Sequence, residues 1–340
     1  MKYRIRRRRY VRRSPSYWFV LILIPLLLWL VISCGNHSES KRFLNGETQG
    51  SDEISGKEPM IQLLRSESGT ITELPLETYV AGVVAAEMPV EFEREALMAQ
   101  AVIARTYALR RASEVNTDKQ HGDLCDDPGH CQAYRSREEL SSAWGTSFSD
   151  NEEKIMSAVK ATAGMVLTYE GNYAETFYHS TCGGKTASAK EVWGEDIPYL
   201  QSVACEWDKD APRYEEVRSV ALSDLPWLLG NGTSPCIAVA EGETVSEIPV
   251  AGEKTESGRV ASVSYAGLTF RGVDFRKALA LNSARFSMKV EGNTLFVNTR
   301  GFGHGVGLCQ YGANGMAQKG YSFQEILSYY YPGTLLMHDK

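Results

Sequence analysis

The chain has 340 residues, with 36 Lys and Arg against 42 Asp and Glu, a net charge of −6 and seven cysteines. The first thirteen residues contribute +8 to that balance, from Lys2, Arg4, Arg6, Arg7, Arg8, Arg9, Arg12 and Arg13, so the remainder carries −14. An acidic body does not suit nucleic acid, whose affinity comes from lysine and arginine on phosphates, nor electrostatic adhesion to anionic lipid.

Residues 1–16 read as a basic cytoplasmic tail. Trp18 to Ser33 holds no charged side chain. A bilayer core needs about 20 apolar residues, and Tyr17, Trp18 and Trp29 are types that sit at membrane interfaces. Residues 17–34 are therefore expected to form a single-pass anchor in the cell membrane, with the basic end cytoplasmic and the body outside. Val31-Ile32-Ser33-Cys34 leaves open a lipobox with Cys34 lipidated, but the length of the run and the lack of a small-x-small cleavage site favour the uncleaved anchor. Export permits disulfides.

Residues 35–58 are rich in Ser, Gly, Asn, Glu and Lys and read as a flexible linker. The folded part spans 59–340. Pro75 to Met88 has an apolar stripe of Leu76, Val80, Val83, Val84 and Met88 at helical spacing, and Pro89 ends it. A longer helix is predicted from about Glu93 to Ala112. Asn116 to Tyr134 is a loop dense in His, Cys, Asp and Gly. Glu152 to Ala163 reads as a helix, and Met165–Tyr169 with Tyr173–His179 as a hairpin. Residues 206–258 are acidic and indistinct, an inserted lobe or long excursions. Val260 to Phe270 reads as strand, Asp274 to Leu281 as a short helix, and Phe286–Val290 with Thr294–Thr299 as a second hairpin. Gly301 to Gly315 is glycine-rich. Ser322 with Glu325 makes a capping box for a last helix ending near Tyr331. Helices and strands come in blocks, so the expected class is α+β: one large mixed domain behind the anchor.

Glu87 is an acid in an apolar setting at a helix C-terminus. The helix dipole and burial both favour its protonated form, which is what a glycosidase general acid requires. A surface glutamate in the last turn is the plain alternative. His121, Cys125, His130 and Cys131 place four zinc-ligand side chains within eleven residues, the donor set of a closed, structural tetrahedral site. A Cys125–Cys131 disulfide beside two bystander histidines is the competing reading. Four ligands in one loop leave no open position for a zinc hydrolase. A Cys182–Cys205 disulfide is a further expectation, with Cys236 and Cys309 as buried thiols.

Three blocks carry a family resemblance. They are Pro75-Leu76-Glu77-x-Tyr79-Val80-x-Gly82-Val83-Val84-x-x-Glu87-Met88-Pro89 with the following Glu95 to Ala108, then His179-Ser180-Thr181-Cys182-Gly183-Gly184, then Gly303-His304-Gly305-Val306-Gly307-x-Cys309-Gln310-Tyr311-Gly312-Ala313. In type and order they resemble the stage II sporulation protein D family. The resemblance implies a lytic transglycosylase that cuts peptidoglycan glycan strands between N-acetylmuramic acid and N-acetylglucosamine during engulfment, leaving a 1,6-anhydro end. Glu87 falls on the family's catalytic glutamate, and some members have a zinc site in the His121–Cys131 loop. The resemblance further implies strands already stripped of peptide, and a membrane complex with an amidase-endopeptidase and an anchoring membrane protein. Related domains act as amidase enhancers, so a glycan-binding module without cleavage is the runner-up. Candidate substrate contacts are Gln100, Arg105 and Tyr107 on the second helix and Ser180, Thr181, His304, Gln310 and Tyr311 in glycine-rich loops. Tyr199 could stack on a sugar ring or pack in the core.

Overall fold

The computed structural model describes residues 58–114, 122–230, 237–238 and 248–339. The expected fold class needs correction. The described chain is a mixed α/β body, and among the described residues no helix is long and apolar enough to cross a membrane. Residues 17–34, where an anchor is expected, lie outside the described residues, as do His121 and Cys236.

The chain enters through a hairpin, β1 (Met60–Arg65) and β2 (Thr70–Pro75), paired from Met60 with Pro75 to Arg65 with Thr70. Pro75 then leads into α1 (Leu76–Glu87). Eight of its residues are buried, including Tyr79, Ala81 and Gly82 off the predicted stripe. A helix that is apolar nearly all round belongs in the middle of a core rather than on its surface. It packs on α2 (Arg94–Ser113), which is also mostly buried. Alanines at 96, 99, 101, 104 and 108, all fully buried, allow that close approach.

A short strand, β3 (Leu124–Cys125), runs parallel to β1 at Leu63 and Leu64. Then come α3 (Arg137–Trp144), started by a Ser136–Glu139 capping box, and α4 (Phe148–Ala161). The hairpin β4 (Met165–Tyr169) and β5 (Asn172–Tyr173) forms where predicted, but it stops at Tyr173. Tyr178–His179 leaves it as a separate strand, β6, and pairs in parallel with a strand 130 residues on. A short helix, α5 (Ala189–Trp193), follows.

The acidic 206–258 region does not close on itself. Its strand β7 (Glu215–Ala221) pairs residue by residue with the far side of the second predicted hairpin. That region also holds α6 (Leu225–Gly230), β8 (Ile237–Ala238) and β9 (Val250–Ala251), the latter two flanking β10 (Ser262–Tyr265) and β11 (Leu268–Arg271). With α7 (Gly272–Ala278), β12 (Phe286–Glu291) and β13 (Thr294–Arg300), these elements enclose a second apolar core around Val220, Leu225, Val263, Phe270, Phe275, Leu295 and Val297. The lobe is thus 215–300, assembled from segments either side of the predicted boundary.

The glycine-rich stretch ends in β14 (Leu308–Cys309), partner of β6, and turns directly into α8 (Gln310–Gln318). The last helix, α9 (Phe323–Tyr330), carries the expected Ser322–Glu325 box, and β15 (Leu335–His338) closes against β4.

Candidate active site

Glu87 is the last residue of α1. Its carboxylate accepts a hydrogen bond from the backbone amide of Ala133 at 2.8 Å, and the side chains of Tyr178 and Gln310 also bond to it. Burial raises its pKa above the ordinary glutamate value, and these three hydrogen bonds pull the other way. Desolvation dominates because the acid, at the end of α1, is held against the Ala133 segment, β6 and the start of α8, which take the place of water around its charge.

Behind it runs a chain of polar contacts. The Tyr79 hydroxyl donates to Gln132 Oε1 at 3.2 Å, and Gln132 Nε2 donates to the Tyr178 hydroxyl at 3.2 Å. That leaves the Tyr178 proton free to point at Glu87. Burial, then the charge on Glu87, hold the Tyr178 hydroxyl well above its usual pKa, so it stays a donor.

A cleft of about 610 Å³ opens in front of Glu87. Tyr107, Ser180, His304, Gln310 and Tyr311 line it, as do Tyr178, Arg213 and Phe302. No second carboxylate is among the described residues that line it. Burial first, then the charges of Arg276 and Arg259, lower the His304 pKa to about 4. The ring is therefore neutral near pH 7. Its Nδ1 accepts from the Val306 amide at 3.1 Å, holding the glycine loop in place. Gly303 in that loop has φ +120, and a Cβ there would lie 2.7 Å from the Cβ of His179. Only glycine lets the two loops approach this closely.

Four predicted contacts belong elsewhere. Arg105 is 0% exposed. Its Nε and Nη2 grip Glu77 at 2.8 and 2.6 Å, and Nη1 donates to the Met165 carbonyl at 3.0 Å. That guanidinium fastens α1 to α2 and β4, and it is buried away from the cleft lining. Gln100 is buried behind the cleft, where its Oε1 accepts from Gln310 Nε2 at 3.5 Å. Tyr199 is a core residue, its ring against Tyr169 and its hydroxyl accepting from the Glu175 amide. Thr181 is buried and bridges through its backbone to Phe302.

Arg213 stands at the cleft instead, its guanidinium 4.2 Å from the Phe302 ring centre. Sequence reasoning passed over Arg213, Gln132 and Tyr178. Tyr178 had a signal: it lies two residues before Ser180 on an extended segment, so both face the same side.

In the loop after β3, Cys125, His130 and Cys131 bring their donor atoms within 4.8 Å of one another. Both sulfurs lie 3.3 Å from His130 Nδ1. Cys125 and Cys131 are free thiols, not a disulfide. Three of the four proposed donors thus converge as a thiophilic cation requires, with His121 outside the described residues. Tyr107 borders this cluster and the cleft together. Cys182 and Cys205 are also free thiols.

Taken together, the fold and the cleft define a protein that presents one half-buried, protonatable acid to an open cleft of about 610 Å³. A family model described as Stage II sporulation protein matches residues 65–169. The chain is 38% identical over 325 residues to Stage II sporulation protein D of Bacillus subtilis, covering 93% of this chain and 92% of that one. It is 39% identical to Stage II sporulation protein D of Bacillus amyloliquefaciens, covering 85% and 82%. It belongs to the stage II sporulation protein D family. A more distant similarity, 28% identity over 75% of this chain and 40% of the other, is to the Amidase enhancer of Bacillus subtilis.

Proposed function

We propose that this protein is a lytic transglycosylase of peptidoglycan glycan strands. The observation that carries the reading is Glu87, a half-buried carboxyl with raised pKa at the head of a cleft whose described lining offers no second carboxylate. Hydrolytic glycosidases use two carboxylates, one of them for water or a covalent intermediate. A transglycosylase needs one group that gives and then takes a proton.

Glu87 donates its proton to the oxygen joining C1 of N-acetylmuramic acid to N-acetylglucosamine, and that C1–O bond breaks. The C6 hydroxyl of the same muramic residue closes on C1, and its proton returns to the Glu87 carboxylate. Acid-base assistance of this kind is worth about 10²–10⁴-fold. Tyr178 and Gln310 steady the carboxylate between the two steps. Arg213 is suited to the lactyl carboxylate of the sugar, and Tyr311 and Phe302 to the sugar faces.

Zinc is assigned to Cys125, His130 and Cys131, with His121 as the fourth ligand. It would act structurally, keeping Ala133 where its amide meets Glu87. The work would be done outside the cytoplasm on strands already stripped of peptide, beside an amidase-endopeptidase and an anchoring membrane protein. The similarity to an Amidase enhancer supports a second reading, in which the cleft binds glycan and stimulates an amidase without cutting.

One digestion separates them. Purified glycan strands are incubated with wild type and with Glu87→Gln. The first reading expects 1,6-anhydro ends from wild type alone. Ordinary reducing ends, or the same products from both proteins, would sink it.

A further inference from the structure

The larger core holds a cluster of sulfur and carboxylate donors that the cleft does not use. Cys182, Cys205, Asp208 and Cys309 are each 0% exposed. Their donor atoms all lie within 4.8 Å of one another. Cys182 Sγ is 3.0 Å from Asp208 Oδ2 and Cys309 Sγ is 3.7 Å from it. A tetrahedral ion with bonds of about 2.3 Å to sulfur places its ligands about 3.8 Å apart. The four residues come from three separate segments: the loop after β6, the stretch before β7, and the end of β14.

Two observations ask for a cation. Asp208 is a fully buried acid; its Oδ2 accepts from the Gly183 amide at 2.8 Å, and its Oδ1 has no hydrogen-bond partner. An unpaired buried carboxylate is costly, and the usual remedies are a cation or a proton. Second, backbone amides are aimed at the sulfurs, as the outer shell of a metal–thiolate site requires. Cys182 N donates to Cys309 Sγ, Gly184 N to Cys182 Sγ and Gly312 N to Cys309 Sγ, each at 3.3 Å. The Tyr330 hydroxyl lies 3.2 Å from Cys205 Sγ. Gly312 has no room for a side chain, since a Cβ there would sit 2.5 Å from that same sulfur. A disulfide would use two of the three sulfurs and leave Asp208 Oδ1 without a partner.

We propose that Cys182, Cys205, Asp208 and Cys309 form a closed, structural binding site for one thiophilic divalent cation of the zinc class, distinct from the Cys125–His130–Cys131 cluster. Binding displaces the three thiol protons to solvent and gives the carboxylate a positive partner; the ion and its four anionic ligands together carry −2, which the backbone amides aimed at the sulfurs partly offset. With four protein ligands the ion has no open position, so its role is mechanical. Cys182 follows Ser180 by two residues and Cys309 precedes Gln310 and Tyr311. The ion therefore pins together the two loops that line the cleft beside Glu87.

The test is metal content of the full chain purified without chelators. Cys205→Ser and Cys309→Ser are each expected to lose about one equivalent of zinc relative to wild type. Cys125→Ser combined with Cys131→Ser should lose a separate equivalent. Unchanged zinc in the first pair overturns the proposal, as does a disulfide among Cys182, Cys205 and Cys309 in peptide mapping of unreduced wild type. Should the first pair fail to accumulate, cobalt(II) is loaded into the Cys125→Ser/Cys131→Ser chain. A thiolate-to-cobalt charge-transfer band supports the site. A folded chain without the band refutes it. None of these readouts depends on glycan cleavage.

Discussion

The backbone amide of Ala133 donates to the carboxylate of Glu87 at 2.8 Å, across 46 residues of sequence. Ala133 lies two residues beyond Cys131, so the cluster of Cys125, His130 and Cys131 is wired to the acid by a very short piece of chain. Cys131→Ser is expected to lose cleavage activity while the helical circular dichroism stays close to wild type, because the loop is disturbed and the α1–α2 core is not. Activity retained alongside loss of metal would show that the amide keeps its place without the cluster.

Burial raises the Glu87 pKa, so its neutral form is favoured on folding. The corresponding stability is complete below the ordinary glutamate pKa and is lost as pH rises through the raised folded value. Glu87→Gln cannot ionise. It should therefore raise the melting temperature at neutral and alkaline pH and leave it unchanged in acid. The cleavage rate of wild type should fall over the same rising limb, as the acid loses its proton. Thermal melts across pH on both proteins check the first half, and a pH–rate profile the second.

Tyr178→Phe removes a hydrogen bond that favours ionised Glu87. The alkaline limb of the rate profile should move to higher pH. A lost bond of about 1 kcal/mol corresponds to about a fivefold drop in kcat, with KM little changed. A drop in KM-dependent binding with no shift of the limb would place Tyr178 on substrate instead.

Arg105→Ala should act through stability alone. Removing one partner of a buried ion pair costs roughly 3–5 kcal/mol, and Arg105 is fully buried on Glu77. Urea denaturation is expected to show that loss. At a temperature where the variant is folded, KM should be unchanged, whereas a raised KM would return Arg105 to the cleft.

Burial lowers the His304 pKa from 6.5 to about 4. A histidine kept neutral in the fold contributes stability present above its unfolded pKa and lost as pH falls toward the folded one. Wild type should lose stability between about pH 6.5 and 4, and His304→Gln should lose less over that window. Equal slopes in the two melting curves would contradict the assignment.

Local pattern was readable along the chain. Glu87 could be found from its apolar run and Pro89, and the Ser322 capping box and the second hairpin followed from spacing alone, because each depends on residues a few positions apart. Spacing alone gives α1 one apolar stripe, but Tyr79 and Gly82 off that stripe are buried as well, and which side of a helix is covered depends on neighbours far away in sequence. The same holds for Arg105. Its residue type suggested a sugar contact, and only the arrival of Glu77 and the Met165 carbonyl around it makes it a clamp.

Charge balance, the helices that build the core, the acid at the end of α1 and the cysteine-rich loop are all legible in the order of residues along the chain. How they act depends on which of them the fold brings into contact. It brought β6 beside β14 and so set Tyr178 and Gln310 on Glu87. It also gathered Cys182, Cys205, Asp208 and Cys309 from segments up to 127 residues apart. Periodicity and caps are short-range, whereas a buried polar cluster exists only once desolvation has brought its members together, and no local pattern encodes that.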